Sequence, residues 1–254
     1  TAALYEGYPE IKALGCCHEV PGIGRELGSF FSNRLEDFAE ERDSVELQVA
    51  GINHFTFVSD MRWKGHDLLR LLEEFAGKPE SLEELTGRAR ERKDNRFWFE
   101  SDNRIALEFL RRFGSFGCAG DRHLAEFVPW FLTSESELEG YGVIATPYWW
   151  RKERSDNRVH RRPAEQAKLL EPSGEEGVAI IGALTGGEEI RTNVNVPNRG
   201  QIPWLPEGHP VESYAIIREN AIIPETPPRL TPAVEELVRR AMAVQQLSLR
   251  ACLE

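Results

Sequence analysis

Two short stretches of this chain carry side chains able to do chemistry at close quarters. The first is Gly15-Cys16-Cys17-His18-Glu19-Val20-Pro21-Gly22, and the second is Gly51-Ile52-Asn53-His54-Phe55. A thiolate and an imidazole both bind borderline metals. Neighbouring side chains point apart, so Cys17 and His18 rarely share one ion, and a second ligand for Cys17 must come from elsewhere. His54, at a strand and turn beside another glycine, is the natural partner. On local grounds alone, two buried structural residues explain the pair better. The Cys16-Cys17 spacing is not Cys-x-x-Cys, so a thioredoxin-like redox pair is excluded. A third stretch, residues 117–131, holds Asp121, Arg122 and His123 after a run of small residues. Small residues let a ligand approach the backbone, and Asp and His transfer protons. The simpler reading is a helix N-cap at Asp121 with His123 exposed.

Other features weigh less. Gly22, Gly24 and Gly28 imitate a dinucleotide fingerprint, but position 27, where its third glycine belongs, is Leu. They read as loop and helix-start glycines. Asn193, Asn195 and Asn198 either line a pocket or form turns. The arginines between Arg151 and Arg162 read mainly as a solvated basic face.

These residues need a scaffold to bring them together. The chain has 254 residues, enough for one large core. Its 42 acidic against 31 basic side chains give a net charge of −11. That balance argues against nucleic acid as a partner. No apolar run is long enough to span a bilayer, and no signal peptide opens the chain, so no membrane partner is expected. Sparse cysteine suggests a reducing, cytoplasmic setting without structural disulfides. Both ends read as cut through helices, which suggests one domain, residues 1–254, truncated at both ends.

Hydrophobic periodicity predicts a mixed α+β chain. A helix end over 2–8 precedes a short buried strand over 10–16. A helix follows Pro21-Gly22. Residues 48–63 read as one or two strands with a turn near Gly51. Helices are expected over 65–76, 81–92 (behind a Ser81-x-x-Glu84 capping box), 101–114 and 123–131. Residues 145–162 read as irregular. Helices at 164–171 and 175–186 precede a strand, a Pro/Gly-rich turn and a second strand between 188 and 217. The last 24 residues read as a helix.

The order of these pieces resembles glycoside hydrolase family 4: GCCHEVPG, AGINHFTFV, an amphipathic helix ending RRFGSF, GDRHLAEFVPWF, and NVNVPNRGQIPWLPEGHPVE. The resemblance spans residues 1 to about 240. It implies the lactate/malate dehydrogenase-like catalytic portion of a two-domain enzyme whose Rossmann domain is absent here. It implies NAD⁺ and a divalent metal, usually Mn²⁺, as cofactors, with Cys17 and His54 as metal ligands and His18 assisting the leaving group. Where phospho-sugar members use a Tyr as base, the matching stretch has none, and Asp121 is the expected base. Glu19, Asn53, Arg122, His123 and Asn195 are the expected substrate contacts. The Cys17-His18-Glu19-Val20 motif resembles the α-galacturonidase branch, so the expected partner is a small sugar or oligouronide, and the expected assembly a homodimer or homotetramer. The implied route is hydride removal at C3 by NAD⁺, loss of the C2 proton, elimination at C1, water addition and return of the hydride. Alternatives are an α-galactosidase or α-glucosidase of the same family, a dehydrogenase of the lactate/malate type, and a non-catalytic fragment.

Overall fold

The computed structural model describes residues 1–32, 34–36, 38, 45–77, 101–160 and 176–254, apart from the side chains of residues 158–160. The expected helices at 81–92 and 164–171 lie outside these residues. In chain order come α1 (Ala2–Gly7), α2 (Glu19–Ser32), β1 (Glu46–Ile52), β2 (Phe55–Trp63), β3 (His66–Asp67) and α3 (Leu68–Ala76). Next are α4 (Arg104–Phe113), β4 (Phe116–Gly117), α5 (Asp121–Phe127), a 3₁₀ turn (Pro129–Phe131), α6 (Glu135–Gly140), α7 (Tyr148–His160) and α8 (Gly177–Leu184). Last are β5 (Ile190–Pro197), β6 (Pro210–Arg218), β7 (Ala221–Pro224) and α9 (Pro232–Leu253). The α+β class expected from periodicity is what the chain adopts.

One antiparallel sheet organises the fold, in the order β3-β2-β1-β6-β5, with β4 beside β2 and β7 beside β6. A large core gathers α2, α3 and α4 with β1 and β2 around Phe31, Phe55, Phe57 and Phe109. A smaller one, including Ile180, Val194 and Ile217, lies between α8 and the β5–β6 pair. The two halves of the sheet meet where Gly51 of β1 faces Glu212 of β6.

Several boundaries differ from those read in the sequence. The turn in residues 48–63 falls at Asn53-His54, because Ile52 pairs with Phe55. Gly51 stays within β1, and its missing side chain lets β2 pass close. A Cβ there would collide with the Phe55 carbonyl oxygen and come within 2.7 Å of Thr56 Cα. Residues 10–16 make no strand beyond one bridge, Gly15 to Asn195. α2 begins at Glu19, ahead of Pro21, which a first helical turn tolerates. Gly22, Gly24 and Gly28 therefore sit inside a helix, not in a loop. Residues 65–67 turn into the short β3 before α3, since Lys64 and Gly65 both have positive φ (47° and 81°), the backbone of a tight hairpin. The segment read as irregular contains α7, which follows Pro147 and carries a Lys152–Asp156 pair one turn apart at 3.0 Å.

Candidate active and metal site

Three chain segments converge on one place: the start of α2, the tip of the β1–β2 hairpin and the start of α5. Glu19, in the first turn of α2, ties two of them. Its Oε2 accepts the Gly120 N–H at 2.9 Å. Its Oε1 faces His18 Nε2 at 3.4 Å and His123 Nε2 at 3.8 Å. The His123 ring stacks on the His54 ring, centroids 4.1 Å apart and 26° between planes. His54 holds φ 64° at the hairpin tip. Histidine is among the few non-glycine residues enriched in that left-handed region, though the conformation still carries strain. Burial, reinforced by His123, lowers the pKa of His54, so its ring is neutral and able to act as a ligand.

β5 supplies the floor. Asn193 and Asn195, two apart on a strand, share a face. Asn193 Nδ2 donates to Glu212 Oε1 at 2.8 Å and lies 3.4 Å from the Cys17 carbonyl oxygen. Asn195 Nδ2 lies 3.4 Å from Asn53 Oδ1. Both side-chain oxygens, Asn193 Oδ1 and Asn195 Oδ1, are buried without a hydrogen-bond partner. Such atoms are costly unless something else reaches them. Asn198 differs: its amide bonds Ile202 and Leu205 carbonyls at 2.9 and 2.8 Å and so knots the Pro/Gly-rich loop. Of the three asparagines, two face the site and one forms a turn.

Two expected site residues are engaged elsewhere. Asp121 is 2% exposed. Its Oδ2 accepts the Arg104 N–H at 2.8 Å, and its Oδ1 accepts those of Ile105 and Ala106 at 2.9 and 3.2 Å. It thus caps the first turn of α4 from a distant part of the chain, at the positive end of that helix. Burial pushes its pKa up to about 6, while the N–H donors pull it down, so the carboxylate is present at neutral pH. Arg122 donates to Thr146 Oγ1 at 2.8 Å and to the Ile144 carbonyl at 2.5 Å, holding the segment after α6.

Glu212 was not singled out by sequence reasoning. It is 1% exposed and meets Thr56 Oγ1 and Asn193 Nδ2. Its signal was present: a lone acid in the otherwise uncharged run Pro210-Val211-Glu212-Ser213-Tyr214-Ala215.

The donor types, one thiol and one imidazole, are ones a divalent ion accepts. Cys17 and His54 both lie within the electrostatic reach of Glu19. Among the described residues no cluster of three or more His, Cys, Asp or Glu side chains could cage an ion alone. Two protein ligands leave positions for oxygens from elsewhere, and oxygens are what Mn²⁺ prefers. Burial pushes the Cys17 thiol up to about 11, so the ligand would lose its proton as the ion entered. A dinucleotide does not fit comparably, since no strand–glycine loop–helix unit occurs among the described residues.

Residues 49–254 match the sequence profile of the family 4 glycosyl hydrolase C-terminal domain. The chain belongs to glycoside hydrolase family 4. An α-galacturonidase of Thermoanaerobacterium saccharolyticum is 36% identical over 99% of this family 4 chain and 55% of its own length. One from Bacillus subtilis is 38% identical over 97% of the chain and 55% of its own length. An α-galactosidase of Bacillus subtilis is 25% identical over 96% of the chain. The family 4 chain thus spans about half the length of these relatives. A solved structure described as a putative glucosidase from Bacillus subtilis superposes with a TM-score of 0.84 and 33% identity, over 100% of the chain and 58% of the other. The 6-phospho-β-glucosidase of Thermotoga maritima, solved with manganese, NAD⁺ and glucose-6-phosphate, shares the fold (TM-score 0.62, 17% identity) over 99% of the chain and 53% of its own. Among the described residues no helix is long and apolar enough to cross a membrane.

Proposed function

We propose that this chain is the metal- and sugar-binding half of an α-galacturonidase that acts with NAD⁺ and a divalent metal, in the cytoplasm and as a homodimer or homotetramer. The observation that carries the reading is the convergence of Glu19, His18, His54 and His123 from three separate segments beside Cys17. Relatives at 36 and 38% identity named α-galacturonidases support the substrate, against 25% for an α-galactosidase.

Cys17 and His54 are the residues that would hold the ion. A bound divalent metal supplies Lewis acidity, which stabilises negative charge on sugar oxygens when the carbon between them is deprotonated. The residues of the chain do the rest. Neutral His54 offers a ring nitrogen, and His123, stacked on it, fixes the ring plane. Glu19 orients His18 and His123 from one carboxylate. His18, with a side chain 67% exposed, is the group placed to hand a proton to the departing oxygen. Asn53, Asn195 and Asn193 present amides to sugar hydroxyls, and a hydroxyl donating to Asn193 Oδ1 or Asn195 Oδ1 would satisfy an oxygen now unpaired. Arg122, held by Thr146 and the Ile144 carbonyl, is assigned to the scaffold. We assign Asp121 to capping α4, since both its oxygens are already taken by N–H donors. His123 is then the nearer candidate for the base.

The test is hydrolysis of digalacturonate and of aryl α-galactosides and α-glucosides by the complete gene product containing this chain, with and without NAD⁺ and Mn²⁺. Galacturonate release that needs both supports the reading. Activity confined to the neutral glycosides overturns the substrate, and no activity on any glycoside returns the weight to a dehydrogenase or a non-catalytic fragment.

A further inference from the structure

α7 packs against very little. Tyr148 is 79% exposed and Trp149 48%. Every residue from Arg151 to Asn157 is exposed, and Trp150 alone among residues 148–157 is half-buried. A helix normally buries its apolar stripe, yet this one gathers three consecutive aromatic rings in its first turn and leaves two of them in water. The helix is also basic on a chain whose net charge is −11. Arg151, Lys152, Arg154 and Arg158 stand against Glu153 and Asp156. Lys152 is occupied by Asp156 at 3.0 Å. Arg154 lies beside Trp150, its guanidinium carbon 5.2 Å from the ring centroid, and has no carboxylate partner among the described residues. Side chains three and four apart on a helix are neighbours, so Arg151 follows Tyr148 on one row and Arg154 follows Trp150 on the next. Each row sets a ring beside a cation. We propose that this face of α7 is a docking surface for an acidic oligosaccharide, which meets the rings with its sugar faces and the guanidinium groups with its carboxylates.

The helix is fixed at the edge of the site. Arg122, which precedes His123 in α5, donates to Thr146 Oγ1 at 2.8 Å and to the Ile144 carbonyl at 2.5 Å. The segment that leads into α7 is thereby tied to the residue next to His123. The Arg151 N–H reaches the Pro147 carbonyl at 3.3 Å and carries that segment on into the helix. Burial first, and then the charge of Arg151, lower the pKa of Arg122, so the two guanidinium groups share one electrostatic neighbourhood. A sugar chain whose end ring sits at His54 thus has α7 beside its later rings. A neutral oligosaccharide would satisfy the aromatic rings alone. A uronide carries a carboxylate on each ring, and guanidinium–carboxylate pairing is charge-assisted and planar. Binding energy gathered away from the reacting bond can serve catalysis at it. The identity of the sugar rests on the proposed function; the surface itself is read from α7.

The test uses the complete gene product with Trp149→Ala, Arg154→Gln and both together. The probes are digalacturonate and pentagalacturonate, with maltopentaose as the neutral control. The double variant should raise KM for pentagalacturonate about 10-fold or more. Its kcat on that substrate, and both constants for digalacturonate, should stay within about 2-fold of wild type, and its melting temperature within roughly 3 °C, since both side chains are exposed. An unchanged KM for pentagalacturonate overturns the proposal. Calorimetric titration with pentagalacturonate, in the absence of NAD⁺ and Mn²⁺, reads the same contrast without turnover. A protein that hydrolyses no galacturonide would therefore sink the proposed function and leave the docking surface to the calorimetry. Equal pentagalacturonate affinity in wild type and double variant, or maltopentaose bound as tightly as pentagalacturonate, overturns the surface. So does a double variant that changes its oligomeric state by light scattering while keeping its pentagalacturonate affinity, which would place a second copy of the chain on α7.

Discussion

The assignment of Asp121 to the scaffold predicts what its removal does. Three backbone N–H groups, from Arg104, Ile105 and Ala106, end on its two oxygens. Hydrogen bonds to a charged group contribute about 1.5–3 kcal/mol each, and buried donors left without partners cost more, although water entering the gap recovers part. Asp121→Ala should cost about 3–5 kcal/mol. For a domain of this size that corresponds to a fall in melting temperature on the order of 10 °C. Asp121→Asn is the sharper probe. Its single acceptor oxygen still serves Ile105 and Ala106, but its NH₂ then faces the Arg104 N–H, donor against donor, costing about 1–3 kcal/mol. The assay is thermal unfolding followed by circular dichroism, alongside galacturonide hydrolysis by the complete gene product. A loss of stability in both variants, larger for Ala, with residual hydrolysis in Asn, is the expected pattern. An Asn variant as stable as wild type and devoid of hydrolysis would refute the capping argument and restore Asp121 as the base.

Three further outcomes follow from particular contacts. Gly51→Ala should lower stability by about 3 kcal/mol or more, because the new Cβ meets backbone atoms of Phe55 and Thr56 that no rotamer change can move; unchanged urea unfolding would contradict the close strand crossing. Glu225 takes Arg191 Nε at 2.7 Å and Nη2 at 2.8 Å, and that hydrogen-bonded pairing lowers its pKa. A carboxylate depressed in the folded state stabilises above its ordinary pKa of 4.5 and loses the effect as pH falls through the lower folded value. Glu225→Gln should thus cost no more than about 1 kcal/mol at neutral pH after solvent screening, with the difference from wild type vanishing in acid, as read by melts across pH. His123→Ala, which removes the ring stacked on His54, should reduce hydrolysis about 100-fold or more while leaving the melting temperature within roughly 3 °C, since a partly exposed ring contributes little to the core.

How much of this was legible in the sequence depended on whether the signal was local. The hairpin of β1 and β2 and the helix α4 were readable because alternation and a 3.6-residue period survive without tertiary help. Cys17, His54 and Glu19 were readable as chemistry-bearing residues, and the ordered motifs identified the family. The turn at Asn53-His54 was hidden because Gly51 is the more obvious turn residue. Its glycine is required instead by the close passage of β2, a constraint that only the paired strand reveals. Asp121 looked like a cap for its own helix, α5; it caps α4, which precedes it by seventeen residues. Glu212 escaped notice because a single acid in an apolar strand says nothing of what surrounds it until β1, β5 and the Cys17 segment are placed around it.

The central claim is that Cys17 and His54 together hold a divalent ion. It is tested most directly by a Mn²⁺ titration of the complete gene product, read by electron paramagnetic resonance in the presence of galacturonate, for wild type, Cys17→Ala and His54→Ala. The account predicts that wild type removes the free Mn²⁺ signal and that each single variant loses about 100-fold or more in affinity. Variants that take up Mn²⁺ as tightly as wild type would contradict it.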